Sequence, residues 1–306
     1  MKIVALSGGV GGAKLVDGLA QLLPPENLTI VVNTGDDFEH LGLYISPDLD
    51  TVCYTLAGLA NPETGWGRRE ETFHVLENIQ KLGGPDWFRL GDRDLATHLE
   101  RTRRLREGQP LSQITCDFCR AWRVRQPVLP MSDQNIRTMV DTTEDGELAF
   151  QEYFVHRKCE PMVKGFRFAG IETARPVPGV LKAIDQADAV VICPSNPWVS
   201  IDPILAITDL RSALATKLVV AVSPIIGGQT IKGPAAKMYT ELGFQPSALA
   251  VARHYGKLLS GFIMDRVDAN LAINISIPTG ITNILMKNQD DRRLLAQDVL
   301  NLIQTL

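Results

Sequence analysis

The chain has 306 residues, of which 45% are apolar and 22% are charged, and its formal net charge is −4. This composition is typical of a globular protein, and the mildly acidic charge argues against non-specific nucleic-acid binding, which requires a basic surface. No apolar run reaches the roughly 18 residues of a membrane span. The N-terminus also lacks the pattern of a signal peptide, so we expect a cytoplasmic protein.

Short apolar strands alternate with helices along most of the chain. The predicted strands are Lys2–Leu6, Leu28–Val32, Ala189–Cys193 and Leu218–Val222. The predicted helices are Ala13–Leu23, 202–215, 234–242 and Asp290–Leu306. Strands of continuous apolar residues that alternate with helices predict an α/β fold with a Rossmann-like, doubly wound, mostly parallel sheet.

The middle of the chain has a different pattern. Residues 66–125 are predicted to be mostly helical, and residues 127–171 are predicted to form short strands, including Leu148–Val155 and Gly165–Ile171. We therefore interpret residues 1–306 as a single α/β domain in which 66–171 form an inserted cap or lobe.

A glycine-rich loop follows the first strand. Glycine amides can approach a phosphate closely, and a following helix adds the positive end of its dipole. The spacing fits neither the dinucleotide fingerprint nor the P-loop. The alternative is a tight strand-to-helix turn in which glycine relieves packing. The candidate phosphate-binding residues are Gly8, Gly9, Gly11, Gly12 and Lys14.

Three short turns contain six aspartates: Asp36, Asp37, Asp48, Asp50, Asp92 and Asp94. A helix cap or an Asx turn explains one aspartate easily, but it explains six poorly. Converging carboxylates need a cation, and oxygen ligands suit Mg²⁺. We expect a helix to start near Thr51, with Asp50 facing a substrate. The candidate Mg²⁺ ligands are Asp36, Asp37, Asp48 and Asp50.

Asp94 and His98 are four residues apart and share a helix face, so Asp94 could orient His98 as a general base. Arg89 and Arg93 both precede Asp94 and could hold a phosphate or a carboxylate. The alternative for this segment is a surface salt-bridge network.

Two later turns follow strands of the same predicted sheet, so we expect them at the same edge as the glycine loop. Their hydroxyl, amide and backbone groups could bind a nucleotide, although ordinary loop chemistry is the better explanation of each turn taken alone. The candidate nucleotide-binding residues are Ser195, Asn196, Ser223 and Gly227. Lys232 could add a cation.

Together these motifs resemble the 2-phospho-L-lactate transferase (CofD) family of coenzyme F(420) biosynthesis. The segments that carry the resemblance are Gly8–Lys14, Asn33–Asp37, Ser46–Thr51, Trp87–His98, Leu129–Asp133, Pro194–Pro197 and Ser223–Gly228. They follow one another through about three quarters of the chain. The family fold is a Rossmann-like sandwich with an inserted region, in agreement with the pattern of strands and helices.

The resemblance implies a Mg²⁺-dependent transfer of a phospho-lactyl or phospho-enolpyruvyl group. The donor would be lactyl- or enolpyruvyl-2-diphospho-5'-guanosine, the acceptor the side-chain hydroxyl of the deazaflavin riboside Fo, and the product GMP. It also implies a homodimer, and contacts of Asp50 and Arg89 with the deazaflavin. Our hypothesis for the catalytic residues is Asp50, Asp36 and His98.

A non-catalytic relative that binds a nucleotide sugar and regulates cell-wall metabolism is the alternative function. That class shares the glycine loop and the sheet, whereas we associate the Asp50 turn and the segment 89–94 with the transferases. A nicotinamide dehydrogenase is disfavoured, because the glycine spacing is wrong and no ribose-binding acid follows in the expected context.

Overall fold

The computed structural model describes residues 1–306. Its strands are β1 (Ile3–Ser7), β2 (Leu28–Val32), β3 (Phe38–His40), β4 (Leu43–Ile45), β5 (Val128–Pro130), β6 (Arg137–Thr142), β7 (Gly146–Ala149), β8 (Val163–Ala169), β9 (Ala189–Ile192), β10 (Val219–Val222), β11 (Ile225–Ile226), β12 (Gln229–Thr230), β13 (Gly261–Asp265) and β14 (Thr279–Thr282). Its α-helices are α1 (Gly9–Leu22), α2 (Pro47–Leu56), α3 (His74–Lys81), α4 (Asp92–Arg106), α5 (Leu111–Ala121), α6 (Val180–Gln186), α7 (Asp202–Leu205), α8 (Thr208–Leu214), α9 (Ala235–Glu241), α10 (Ala248–Tyr255) and α11 (Gln289–Thr305).

A seven-stranded parallel sheet forms the centre of the molecule, in the order β14-β13-β10-β9-β1-β2-β5. Strand β1 lies between β2 and β9, so that Val4 pairs with Thr29 on one side and with Val190 on the other. The predicted Rossmann-like parallel sheet is confirmed. None of the helices is both long enough and apolar enough to cross a membrane.

Both faces of the sheet are covered by helices, which explains why most residues of its central strands are apolar. Ile3 and Ala5 of β1 pack into a core with α1, α2, α5 and α11, whereas Val4 and Leu6 pack into a second core with α6, α8 and α10. Complete burial of each large aliphatic side chain contributes about 1.5–3 kcal/mol to stability.

Three predicted boundaries were wrong. Helix α1 begins at Gly9, four residues before the predicted start, so the glycines belong to its first turn. Helix α2 begins at Pro47 instead of near Thr51, because proline suits the first helical position. The predicted strand Leu148–Val155 ends at Ala149 and is followed by a π-helical turn; the buried Phe150 and Tyr153 are three residues apart, a spacing that fits a helix and not a strand.

The segment 66–171 contains α3 to α5 and the antiparallel sheet β7-β6-β8, in line with its expected mixture of helices and strands. It also contains β5, which pairs with β2 at one edge of the main sheet. The description of 66–171 as an inserted cap or lobe of one domain stays a prediction.

The strand order reverses next to β1. From β1 the chain proceeds outward to β2 and β5, and from β9 it proceeds outward in the opposite direction to β10, β13 and β14. The loops that follow β1 and β9 therefore diverge at a switch point, where open α/β sheets bind their ligands. Ser195, after β9, accepts a hydrogen bond from the Gly8 amide (3.0 Å) and donates one to the Gly8 carbonyl (2.7 Å).

Candidate active site

A cavity of about 730 Å³ opens at this switch point. Most of the residues predicted from the sequence line it: Gly8, Gly9, Gly11, Lys14, Asp36, Asp48, Asp50, Arg89, His98, Ser195, Asn196 and Ser223. The structure does not place Gly12, Asp37 or Gly227 on the cavity wall. Most of the predicted site residues therefore line one cavity, and three of them do not.

The glycines of the loop are required mainly for packing. Gly9 has a φ of +61°, which favours glycine. A side chain at Gly11 would place its Cβ 2.3 Å from the carbonyl oxygen of Pro194, and one at Gly12 would lie 2.4 Å from Ser7 Oγ. Close packing, the alternative considered in the sequence analysis, thus explains why Gly11 and Gly12 carry no side chain.

Backbone amides at the start of α1 are the part of this loop that can bind an anion. The amide of Gly9 is already used, since it donates to Asp48 Oδ1 (2.7 Å). No side chain or loop carbonyl accepts from the amides of Val10 and Gly11, and no side chain caps the helix. Lys14 lies one turn further along, with its Nζ on the carbonyl of Met286 (2.8 Å). The amides of Val10 and Gly11 and the Lys14 ammonium are therefore the donors that could bind a phosphate at the positive end of the helix dipole.

We expect Gly11→Ala to destabilise the protein by about 2 kcal/mol, because the new methyl group meets a backbone carbonyl that cannot move aside. Urea unfolding followed by circular dichroism measures this change. Gly165→Ala is the control: Gly165 lies in β8 with open space around it, so the expected change is within about 0.5 kcal/mol. Equal effects of the two substitutions would contradict the packing role.

Asp36 and Asp48 form a buried acidic pair on the cavity wall. Asp48 accepts hydrogen bonds from the Gly9 amide and from Asn33 Nδ2 (2.9 Å), while Asp36 Oδ1 is buried without a partner. Burial raises the pKa of Asp48 to about 6. Burial, followed by the neighbouring Asp48, raises the pKa of Asp36 well above its usual range. An orphaned carboxylate oxygen beside a second carboxylate is a donor set that suits Mg²⁺.

Two of the six aspartates, Asp37 and Asp92, do not line the cavity. Asp37 is buried behind the wall, where it accepts a hydrogen bond from Ser46 Oγ (2.8 Å), and burial raises its pKa to about 8. Asp92 accepts hydrogen bonds from Thr72 and from the first amides of α3. The helix-cap alternative therefore applies to Asp92, and Asp37 has no access to a ligand in the cavity.

Asp50 is paired with an arginine that the sequence analysis did not single out. Arg101 Nη1 lies 3.0 Å from Asp50 Oδ2, and Nη2 contacts Asp50 Oδ1. Both side chains are buried, with relative exposures of 2% and 6%. The sequence did indicate this pairing face, because Asp94, His98 and Arg101 have the spacing i, i+4, i+7 of one helix face. Arg101 was not distinguished from the nearby arginines of the same helix, which lie on its surface.

The same guanidinium fixes His98. Arg101 Nη1 lies 3.2 Å from His98 Nδ1, and because a guanidinium can only donate, the hydrogen-bond network assigns Nδ1 as the acceptor. The ring proton is then on Nε2, which lies 3.4 Å from Asp94 Oδ1. Asp94 also accepts from Tyr54 Oη (2.7 Å). Although burial raises the pKa of Asp94, the interaction with His98 outweighs it and holds that pKa below its usual value.

Ligand atoms of Asp50, Asp94 and His98 lie within 4.8 Å of one another, a spacing that a metal could use. Arg101 already neutralises Asp50, however, and a second cation on that carboxylate would be repelled. Asp36 and Asp48, which have no cationic partner, therefore fit Mg²⁺ better, and Asp50, which was predicted as a ligand, fits that role poorly.

Aromatic side chains also line the cavity: Trp66, Trp87, Phe88, Phe150 and Phe154. The Trp87 ring stacks on His156 with centroids 5.1 Å apart. The exposed Arg89 is at the rim, its guanidinium 4.4 Å from the centroid of the Phe73 ring. The cavity wall therefore offers aromatic surface to a flat apolar ligand as well as hydrogen-bond donors to a phosphate.

The two later turns contribute less than predicted. Ser195 is bonded to Gly8, Ser223 Oγ is bonded to the backbone of Ile225, and Asn196 Oδ1 accepts from the amide of Trp198. The amide of Gly227 donates to Asp268 (3.0 Å). Ordinary loop chemistry thus explains these side chains, although three of the four predicted residues line the cavity. Lys232 also lines it, with its Nζ on the carbonyl of Thr64.

The fold and the cavity define a Rossmann-like α/β protein whose switch point combines helix amides, an acidic pair and an aromatic wall. The model of the family described as 2-phospho-L-lactate transferase CofD matches residues 3–295. The chain belongs to this family, and it is a transferase.

Curated relatives match along nearly the whole length. A phosphoenolpyruvate transferase of Streptomyces griseus is 44% identical, over 99% of both chains. A 2-phospho-L-lactate transferase of Methanopyrus kandleri is 39% identical, over 100% of this chain and 99% of the other. Among solved structures, a member of the UPF0052 family from Bacillus halodurans superposes with a TM-score of 0.65 over 98% of both chains. At 16% identity, that likeness concerns the fold alone.

Proposed function

We propose that this protein transfers a phospho-lactyl or phospho-enolpyruvyl group from a guanosine diphosphate ester to the deazaflavin riboside Fo and releases GMP, in coenzyme F(420) biosynthesis. The observation that carries the proposal is the composition of one cavity in a member of this family. Open amides at the start of α1, the carboxylates of Asp36 and Asp48, and an aromatic wall line the same space. A phosphate ester, a divalent cation and a flat ring system each find a matching surface there.

The reaction breaks the phosphoanhydride bond of the donor's diphosphate and forms a phosphoester bond to the acceptor. The Fo hydroxyl oxygen forms a bond to the phosphorus that bears the three-carbon acid, the bond from that phosphorus to the GMP oxygen breaks, and the hydroxyl proton leaves to solvent. Such transfers are catalysed mainly by positioning and by neutralisation of charge. Val10 and Gly11 amides and Lys14 would bind the donor's phosphates. When bound between Asp36 and Asp48, Mg²⁺ would supply further charge neutralisation.

Asp50 is the proposed contact for the acceptor hydroxyl, and Arg89 at the rim is the proposed contact for the deazaflavin. Arg101 holds both oxygens of Asp50, so we propose that Asp50 orients the hydroxyl by accepting its hydrogen bond. His98 has Nδ1 occupied by Arg101 and its proton on Nε2. This arrangement favours an orienting role for His98 over the predicted role of general base.

We expect Mg²⁺ affinity to increase as the pH rises from about 5 to about 7. Burial raises the pKa of Asp48 to about 6, so below that value a proton must leave before the carboxylate can bind the cation. The slope should approach tenfold per pH unit for each proton released. Calorimetric titration of Mg²⁺ at several pH values measures it, and Asp48→Asn should flatten the curve. An affinity independent of pH would contradict the assignment of Asp48.

The experiment that tests the function is a fluorescence titration of Fo, followed by an assay of GMP release from the guanosine diphosphate ester. Saturable Fo binding with Mg²⁺-dependent GMP release is the expected result. Binding of a UDP-sugar without binding of Fo would instead identify the protein as a nucleotide-sugar-binding regulator. Donors that carry lactate and enolpyruvate, assayed side by side, identify the three-carbon acid.

Assembly and location complete the proposal. Family resemblance supports a homodimer, which sedimentation equilibrium tests. We also propose a cytoplasmic location, which fractionation of cells tests.

A further inference from the structure

We infer that Arg101 is a positioning residue of the transfer reaction: it holds the Asp50 carboxylate in the one orientation that receives the acceptor hydroxyl. This inference rests on the proposed function. Arg101 itself does not line the cavity, and it would act on the acceptor only through Asp50.

The first support is the geometry of the ion pair. Both terminal nitrogens of Arg101 bond to both oxygens of Asp50, which is the fork arrangement that fixes the plane of a carboxylate as well as its position. The two residues come from different helices, α4 and α2, and are separated by 51 positions in the sequence. The pair therefore fixes the first turn of α2 against α4 at the cavity wall.

The second support is the surroundings of the guanidinium. The Arg101 side chain is 2% exposed. Its Nη1 also donates to the Tyr44 carbonyl (3.5 Å), and the guanidinium carbon Cζ lies 6.0 Å from the centroid of the Phe118 ring. A buried arginine has a large desolvation cost. Among its nearby partners, Asp50 and His98 line the cavity. One rigid cation thus orients two side chains that face the ligand.

The third support is the unused hydrogen-bond acceptor capacity of the Asp50 carboxylate. Each carboxylate oxygen can accept about two hydrogen bonds, and Arg101 occupies one on each. The remaining lone pairs can accept a bond from the side of the cavity that Asp50 lines. Misplacement of a reacting group by about 1 Å can reduce the rate of an enzyme about 100-fold, so fixing this acceptor matters for turnover.

Four variants test the inference: Arg101→Met, Arg101→Lys, Asp50→Asn, and the double variant of Arg101→Met with Asp50→Asn. We expect Arg101→Met to lower kcat by about 30-fold or more with little change in KM for the guanosine donor, and Arg101→Lys to recover part of that loss. In the Asp50→Asn background, Arg101→Met should change kcat by less than about 3-fold, because the carboxylate that Arg101 orients is already replaced by an amide.

Arg103→Met is the matched control, since Arg103 lies on the same helix but pairs on the surface with Glu100 and Glu107. We expect parental kinetics from it. Thermal unfolding of each variant separates loss of fold from loss of positioning. If Arg101→Met does not fold, the double variant, which removes the unpaired charge, and Arg101→Lys still carry the test.

Parental kcat in a folded Arg101→Met protein would overturn the inference. An equal loss from Arg101→Met in the parent and in the Asp50→Asn background would also overturn it, because the arginine would then act independently of Asp50. Failure of the proposed function gives a different result: the parent protein itself would release no GMP and bind no Fo.

Discussion

Replacing Asp36 by asparagine should lower kcat by about 10³-fold while leaving the protein at least as stable as the parent. The kinetic effect follows from the proposed Mg²⁺ site, because removal of a charged ligand to the cation removes charge neutralisation from the transition state. Stability should not suffer, because Asp36 is buried and its Oδ1 has no protein partner in the folded state.

The pH dependence of stability gives this prediction a definite sign. Burial raises the pKa of Asp36, so the folded protein binds this proton more tightly than the unfolded chain does. The resulting stability is present at low pH and is lost as the pH rises through the raised pKa. Asparagine does not titrate, so in Mg²⁺-free buffer the variant should gain stability relative to the parent as the pH increases.

Asp37→Asn is the matched comparison. Asp37 is adjacent in the sequence, equally buried and also has a raised pKa, but it does not line the cavity. We expect its kcat to stay within about tenfold of the parent, a difference of ~1.4 kcal/mol. GMP release and urea unfolding, measured for both variants, check the pair of predictions. Equal kinetic losses from the two substitutions would place the cation elsewhere.

Replacing Asp50 by alanine should have the opposite effect on stability and a comparable effect on turnover. The substitution leaves Arg101 buried without its carboxylate, and removing one partner of a buried ion pair typically costs about 3–5 kcal/mol. The acceptor hydroxyl also loses its proposed hydrogen-bond partner, so we expect kcat to fall by at least about 100-fold.

Asp50→Asn separates the two consequences. The amide oxygen can still accept a bond from Arg101, so this variant should be more stable than Asp50→Ala while Fo affinity and turnover stay low. Urea unfolding, Fo fluorescence and GMP release provide the three readouts. A turnover within about tenfold of the parent in Asp50→Ala, ~1.4 kcal/mol, would remove Asp50 from the mechanism.

The sequence by itself determined the architecture and the edge of the sheet that forms the site. Strands β1 and β2 are short, mostly apolar runs rich in β-branched residues, the pattern of a parallel strand buried on both faces. Parallel strands bring the turns after them to one edge. The glycine loop, Asp36, Asp48 and Asp50 could therefore be assigned to one cavity from their positions along the chain.

Only the tertiary structure decided which of these groups face the cavity and which residues they contact. Asp36 and Asp37 are neighbours in sequence, yet one lies on the wall and the other behind it, because the turn after β2 directs their side chains apart. Gly11 and Gly12 are explained by the approach of Pro194 and Ser195, far along the chain.

The pairing of Asp50 with Arg101 shows the physical reason most clearly. Local sequence carries periodicity, turn chemistry and charge, which specify helices and strands and place a helix face toward the core. It does not carry the distance between α2 and α4, on which the choice of partner depends. Whether an arginine is a solvated surface charge, as Arg103 is, or the buried counter-ion of an active-site carboxylate, as Arg101 is, follows only from how the helices pack.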